Sequence, residues 1–228
     1  IYDDSNFQLL TSATAPAVFV TITQTLDADL DLSTFELGDF GFGDIYIDVP
    51  EGFQNYSQRL DLRDTIGDFV DLEASLNQET GEVLWTLTTI DDETGNIPDA
   101  VDAGFLPPNN ENRDGEGFVS YRINAKPNLP TNTRLDAEAS IVFDTNEAIE
   151  TPPIFNTLDV GTPISQVTAF SGTVFPTFDV SWSGTDDGSG IATYDIYVSV
   201  DDGDYELWLN DTADTTATYT GEAGRTYR

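Results

Sequence analysis

Apolar and polar residues alternate with a period of two along most of this chain, and no stretch keeps the period of 3.6 that an amphipathic helix requires. Residues 18–26 alternate and predict a strand, as do residues 44–49, which end at Pro50, a residue that cannot continue a ladder. Residues 69–76 and 83–90 predict a hairpin across residues 77–82, with Gly81 supplying a positive φ. Residues 117–125 and 135–143 predict two further strands, separated from the hairpin by a long loop, 91–115, rich in Asp, Asn, Pro and Gly. Residues 151–159, stiffened by Pro152 and Pro153, read as a short extended linker. Beyond it, strands are expected near 165–169, 178–183, 192–199, 205–210 and 217–220, with turns at 187–190 and 201–204. The pattern predicts an all-β chain of two tandem β-sandwich modules, 1–158 with a long acidic loop and 159–228. The second segment has only about 70 residues, against about 100 for a seven-stranded sandwich, so it is expected to lack its last strands.

Charge changes the picture most. Asp and Glu number 42 against 8 Lys and Arg, a net charge of −34, and Lys126 is the single lysine. Such a surface repels phosphate and anionic lipid and attracts small cations, so it argues against nucleic acid as a partner. Two explanations stand side by side: bound Ca²⁺, or a saline medium that screens repulsion beyond a Debye length of roughly 8 Å. Hydrophobic residues make up 39% of the chain, enough for a core, which separates it from disordered acidic tails. No window reaches the roughly 18 apolar residues of a membrane span, so membrane insertion is not expected. The start at Ile1 carries no signal peptide and reads as the middle of something longer, from which a signal could have been lost.

The absence of His and Cys excludes Ser-His-Asp triads, thiol nucleophiles, disulfides and the common zinc sites. Pairs of acids suited to glycoside hydrolysis occur by chance among so many carboxylates, so an acid-pair glycosidase ranks a distant third and no catalytic activity is expected. Ca²⁺ takes six to eight oxygens, and two places offer them. Asp27, Asp29 and Asp31 are spaced by two, which on a strand would put three carboxylates on one face; the alternative is a solvated face backed by Leu26, Ala28, Leu30 and Leu32. Asp91, Asp92 and Asn96 lie in the long loop, which needs something to hold it. Asp144 reads as an Asx-turn residue or a cation ligand. Trp85 and Trp182 are expected in the core, and Trp208 on an edge strand.

The runs at 178–184 (Phe-Asp-Val-Ser-Trp-Ser-Gly), 189–199 (Ser-Gly-Ile-Ala-Thr-Tyr-Asp-Ile-Tyr-Val-Ser) and 218–227 (Thr-Tyr-Thr-Gly-Glu-Ala-Gly-Arg-Thr-Tyr) resemble fibronectin type III-like, immunoglobulin-like modules of large exported, multi-repeat bacterial surface proteins. In that family the last Tyr opens a strand that runs on into a final hairpin. The runs at 35–43, 104–109, 115–121 and 139–146 resemble the module that commonly precedes it. The resemblance implies an extracellular or cell-surface location, a β-sandwich scaffold and no catalytic residues to transfer. The expected function is a structural or adhesion module, Ca²⁺-stabilised and assembling through strand complementation. Its expected partners are neighbouring modules of the same parent protein or identical subunits. The alternative is Ca²⁺-dependent glycan recognition.

Overall fold

The computed structural model describes residues 2–100, 102–169 and 175–228, with side chains described from Phe7 onward. The described residues are all-β, without helix, and fall into two compact units: residues up to Leu129 with Arg134–Asn156, and Pro130–Thr133 with Thr157–Arg228.

The strands of the first unit are β1 (Tyr2–Gln8), β2 (Phe19–Thr25), β3 (Leu30–Phe42), β4 (Ile45–Ile47), β5 (Asn55–Asp61), β6 (Phe69–Asn77), β7 (Glu82–Ile90), β8 (Glu116–Ala125), β9 (Arg134–Ala137), β10 (Ala139–Phe143), β11 (Ile149–Glu150) and β12 (Ile154–Thr157). One sheet has the order β1-β8-β3-β4, a second the order β11-β10-β2-β7-β6-β5, and β9 pairs with β12. Alternation puts one side of each strand inward: in β7, Val83, Trp85, Leu87 and Thr89 are buried and the residues between them are not. The two larger sheets face each other across these side chains, as a sandwich requires. Trp85 of β7 lies 6.2 Å from Tyr121 of β8, and Phe7 of β1 lies 6.4 Å from Phe143 of β10, centroid to centroid. The Gln24 Nε2 of β2 donates to the Tyr121 hydroxyl at 2.7 Å inside this layer.

The hairpin β6–β7 has the expected register, Asn77 opposite Glu82, with Gly81 at φ +73°. Five strands that the pattern did not indicate are present: β1, β3, β5, β11 and β12. β3, the longest, carries two register irregularities against β8, between Asp31 and Glu36 and between Leu37 and Phe40. Its buried large side chains therefore fall at Leu30, Phe35, Leu37, Phe40 and Phe42, a spacing that breaks strict alternation. Glycine is needed here, because a Cβ at Gly38 would come within 2.3 Å of the Ser120 Oγ on β8. The expected strand at 135–143 is divided at Glu138 into β9 and β10, which enter different sheets. The expected linker is not free chain: after Pro152 and Pro153, Ile154–Thr157 is strand β12, paired with β9.

The second unit contains β13 (Ile164–Val167), β14 (Thr177–Thr185), β15 (Tyr194–Val198), β16 (Glu206–Thr212) and β17 (Thr216–Thr220). They form a three-stranded sheet, β13-β14-β17, and a two-stranded sheet, β15-β16. Trp182 and Ile196 are its buried large side chains among the described residues.

Candidate functional site

Among the described residues, the second unit is open along one side. β13 pairs only with β14, and β15 only with β16, among the described residues. Two neighbouring cavities, of about 310 and 300 Å³, lie along β13 and β15 and share Val167, Ile196 and Tyr197. Rings from both small sheets line or border them. Trp208 of β16 stacks edge-on with Tyr219 of β17 at 5.0 Å and with Trp182 of β14 at 6.3 Å, and Tyr219 meets Tyr227 at 5.2 Å. Trp208 is thus half-buried in an aromatic chain that joins the two sheets. Val167 and Tyr197 remain 53% and 51% exposed on the rim, so apolar surface that a closed sandwich would cover faces solvent here.

The chain returns to this open side through a tight corner. The Tyr227 hydroxyl accepts a hydrogen bond from the Glu222 amide at 2.6 Å, and Gly221 is the residue that lets the ring lie there: a Cβ at that position would approach the ring to 2.6 Å. Asp201 pins the same segment. Its carboxylate accepts from the Thr226 amide at 2.9 Å and pairs with Arg225. Together these contacts, the backbone donor first, hold the Asp201 carboxyl below its usual range. Asp201 and Asp202 adopt φ of +52° and +63°, the left-handed region that Asp tolerates better than most residues. Tyr227 bridges Val200, and Ser199 and Arg228 exchange reciprocal backbone hydrogen bonds of 2.8 and 3.0 Å. The segment Thr226–Arg228 thereby starts an antiparallel ladder along the free edge of β15.

The acidic candidates lie elsewhere and are engaged in local turns. Asp27 and Asp29 are not on a strand but in the turn between β2 and β3, so the three carboxylates do not share a strand face; only Asp31 is in β3. Alternation fails there because Asp27 closes an Asx-turn, accepting from the Asp29 amide at 2.9 Å, while its other oxygen accepts from the Asp136 amide. Asp31 accepts from the amide and hydroxyl of Ser33. Leu26 and Leu30 are buried behind this turn, whereas Ala28 is exposed. Asp27, Asp136, Glu138 and Glu150 border one shallow hollow of the first unit. Asp91, Asp92 and Asn96 form a compact turn. Thr94 bonds Asp91, and these hydrogen bonds lower the Asp91 carboxyl from its ordinary value; Asp92 and Asn96 are exposed. The long loop itself is anchored by apolar contacts: Leu106 pairs with Ala17 and is fully buried, and Phe105 packs edge-on against Phe42 at 4.9 Å. Among the described residues no group of three or more acids is arranged to hold a metal ion. Asp144, at φ +52°, accepts from the amides of Val18 and Phe19 at 2.9 Å each and so ties the end of β10 to β2.

The fold and site define a multi-sheet β protein with a sandwich in its first unit and an open aromatic groove in its second. A family described as a domain of unknown function, DUF7619, matches residues 62–157, from the turn before β6 to the end of β12; that stretch is similar to this family. No curated protein matches the chain.

Proposed function

We propose that the protein is a non-catalytic structural or adhesion module of an extracellular surface or secreted protein, its partners being neighbouring modules of the same parent protein or identical subunits. The Tyr227 corner carries this reading. A tyrosine whose hydroxyl bonds the backbone a few residues upstream, at the entry to a strand, is a hallmark of immunoglobulin and fibronectin type III sandwiches. Here the corner joins the end of β17 to the free edge of β15, beside a core Trp182 on β14. The acidic surface favours Ca²⁺ as a stabilising counter-ion outside the cell, with the turn at Asp27 and the hollow beside it as the place to look. The test is protease shaving of intact cells that express the parent protein. Release of peptides from this chain, with a cytosolic marker retained, is the expected result; exclusive recovery from the cytosol overturns the reading.

A second reading, Ca²⁺-dependent glycan recognition, rests on Tyr46. Its ring is 64% exposed, lies 6.0 Å from the Phe118 ring, and its hydroxyl bonds the Asp39 carboxylate. An aromatic face beside a carboxylate suits a sugar, and a glycan array probed with and without Ca²⁺ separates the two readings.

A further inference from the structure

We infer that the outer face of the sheet β1-β8-β3-β4, at Tyr46, Phe118 and the hollow beside them, binds a neutral, hydroxyl-rich polysaccharide. The inference rests on the second reading above and deepens it: it names the class of glycan and the side chains that hold it.

The first observation is a ledge of two rings. Tyr46 of β4 and Phe118 of β8 both stand opposite Gly41 of β3, and directly opposed residues share a face. Gly41 has no side chain to keep the rings apart: a Cβ there would come within 2.7 Å of the Phe118 ring and of the Ile45 carbonyl oxygen. The rings therefore meet over the glycine, 6.0 Å apart and tilted by 40°. Tyr46 is fixed by the Asp39 carboxylate and still 64% exposed. The face of an aromatic ring is negative, and the C–H bonds on the apolar side of a pyranose are weakly positive, so that side packs on such a ledge.

The second observation is a hollow with a polar rim next to the ledge. It measures about 280 Å³, and Gly41, Gly43 and Gly117 line it together with Phe118. That is small for a ligand pocket and is the scale of one sugar ring. Arg113 and Glu116 stand at its rim and are held in place before any ligand arrives. The Glu116 carboxylate accepts from Arg113 Nε at 2.7 Å and from Asn109 Nδ2 at 3.0 Å, and the same Asn109 amide donates to Gln8 Oε1 at 2.9 Å. Arg113 carries five N–H donors, so donors remain for a ligand. Fixed donors beside a fixed acceptor suit vicinal hydroxyls, each of which donates and accepts, and groups already held in place lose little freedom on binding.

The third observation is charge, and it selects the class. Arg113 is neutralised by Glu116, and Asp44 and Asp114 are the chain neighbours of Gly43 and Arg113, so an acidic sugar is repelled. A cationic peptide wants acceptors alone and would meet the Arg113 guanidinium at the rim. A neutral glycan meets neither obstacle.

The experiment is affinity electrophoresis of the intact chain, in millimolar CaCl₂, through gels containing hydroxyethylcellulose, laminarin or a galactomannan, with carboxymethylcellulose as the anionic counterpart. The expected result is retardation by at least one neutral polymer and none by carboxymethylcellulose. Tyr46→Ala should weaken binding on the order of tenfold. Arg113→Asn, which suits the φ of +68° at that position, should weaken it several-fold. Phe53→Ala, which removes another exposed ring, should leave it unchanged. Retardation by none of the polymers overturns the inference together with the second reading. Equal or stronger retardation by carboxymethylcellulose overturns the neutral class, and retardation unchanged in both Tyr46→Ala and Arg113→Asn overturns the site; either result leaves the second reading standing.

Discussion

The Tyr227 hydroxyl and the Glu222 amide are joined by a 2.6 Å hydrogen bond, and this contact, with those of Asp201 to Thr226 and Arg225, sets where the chain goes after β17. With it, the ring is set against Tyr219 and Phe178, and Thr226–Arg228 is delivered to the edge of β15. The corner thus couples the packing of the aromatic chain to the shape of the groove.

Replacing Tyr227 with Phe keeps the ring contacts and removes the hydrogen bond. The expected cost is about 1 kcal/mol, which for a domain of this size is a fall in Tm of roughly 4–8 °C. The loss should be confined to the second unit. Hydrogen exchange should show faster exchange at Glu222 and across residues 199–201, with the β6–β7 hairpin unchanged. Equal loosening of both units would mean that the corner is not the local clamp described.

In the first unit, Gln24 and Tyr121 link the two sheets through the buried 2.7 Å bond. Tyr121→Phe deprives a buried donor of this acceptor and should cost about 1–3 kcal/mol. Gln24→Leu alone should also destabilise. The double variant should recover part of the summed loss, because neither remaining group then waits for the other. Urea unfolding of the four proteins gives the coupling; simple additivity would argue against the bond as an inter-sheet tie.

The elements that could be read in advance were those with undisturbed alternation. β6 and β7 run opposite each other without a bulge, so period two and one Gly defined them. β3 escaped because its two irregularities against β8 shift the inward set partway along, and a period-two template cannot follow such a shift. β12 was hidden for another reason: Ile154, Phe155, Asn156 and Thr157 are all exposed, so no alternation marks the strand, and the two prolines before it resemble a linker. Of the site, Trp182 was legible as core and Tyr227 as a strand start. The acceptor–donor pair that makes the corner was not, because the donor is a backbone amide that any residue at 222 would supply. The run Asp27, Asp29 and Asp31 has the spacing of one strand face, but the Asx-turn at Asp27 interrupts the strand before Asp31.

Asp201 supplies a pH dependence with a definite sign. Its folded carboxyl is held low by the Thr226 amide and Arg225, so it binds fewer protons at a given pH folded than unfolded. Its contribution is therefore full above the unfolded value near 4 and is lost as pH falls through the lower folded value. Asp201→Asn tolerates the positive φ and keeps an acceptor but removes the charge. The variant should melt below the parent protein at pH 6, and the gap should close as pH drops below about 4. A gap that persists at low pH would assign the loss to backbone geometry instead of ionisation.

Cation dependence separates specific binding from screening. A net charge of −34 destabilises any compact state by self-repulsion, so added salt of any kind should raise Tm. A Ca²⁺ ion bound by the native state alone adds RT ln(1 + [L]/Kd), about 2.7 kcal/mol at a hundredfold excess over Kd. The hollow bordered by Asp27, Asp136, Glu138 and Glu150 is the first place to test, and the turn at Asp91 and Asp92 is the second. Melts in millimolar CaCl₂ and in EDTA, matched in ionic strength with NaCl, should differ by several degrees. Because Asp27 also holds the turn through the Asp29 and Asp136 amides, Asp27→Asn will lower Tm by itself; the informative quantity is the Ca²⁺-minus-EDTA difference. That difference should shrink in Asp27→Asn if the hollow binds the ion, and in Asp92→Asn if the loop does. Equal melts in Ca²⁺ and NaCl would leave general screening as the whole effect, and would place the acidity of this chain with its medium instead of with a site.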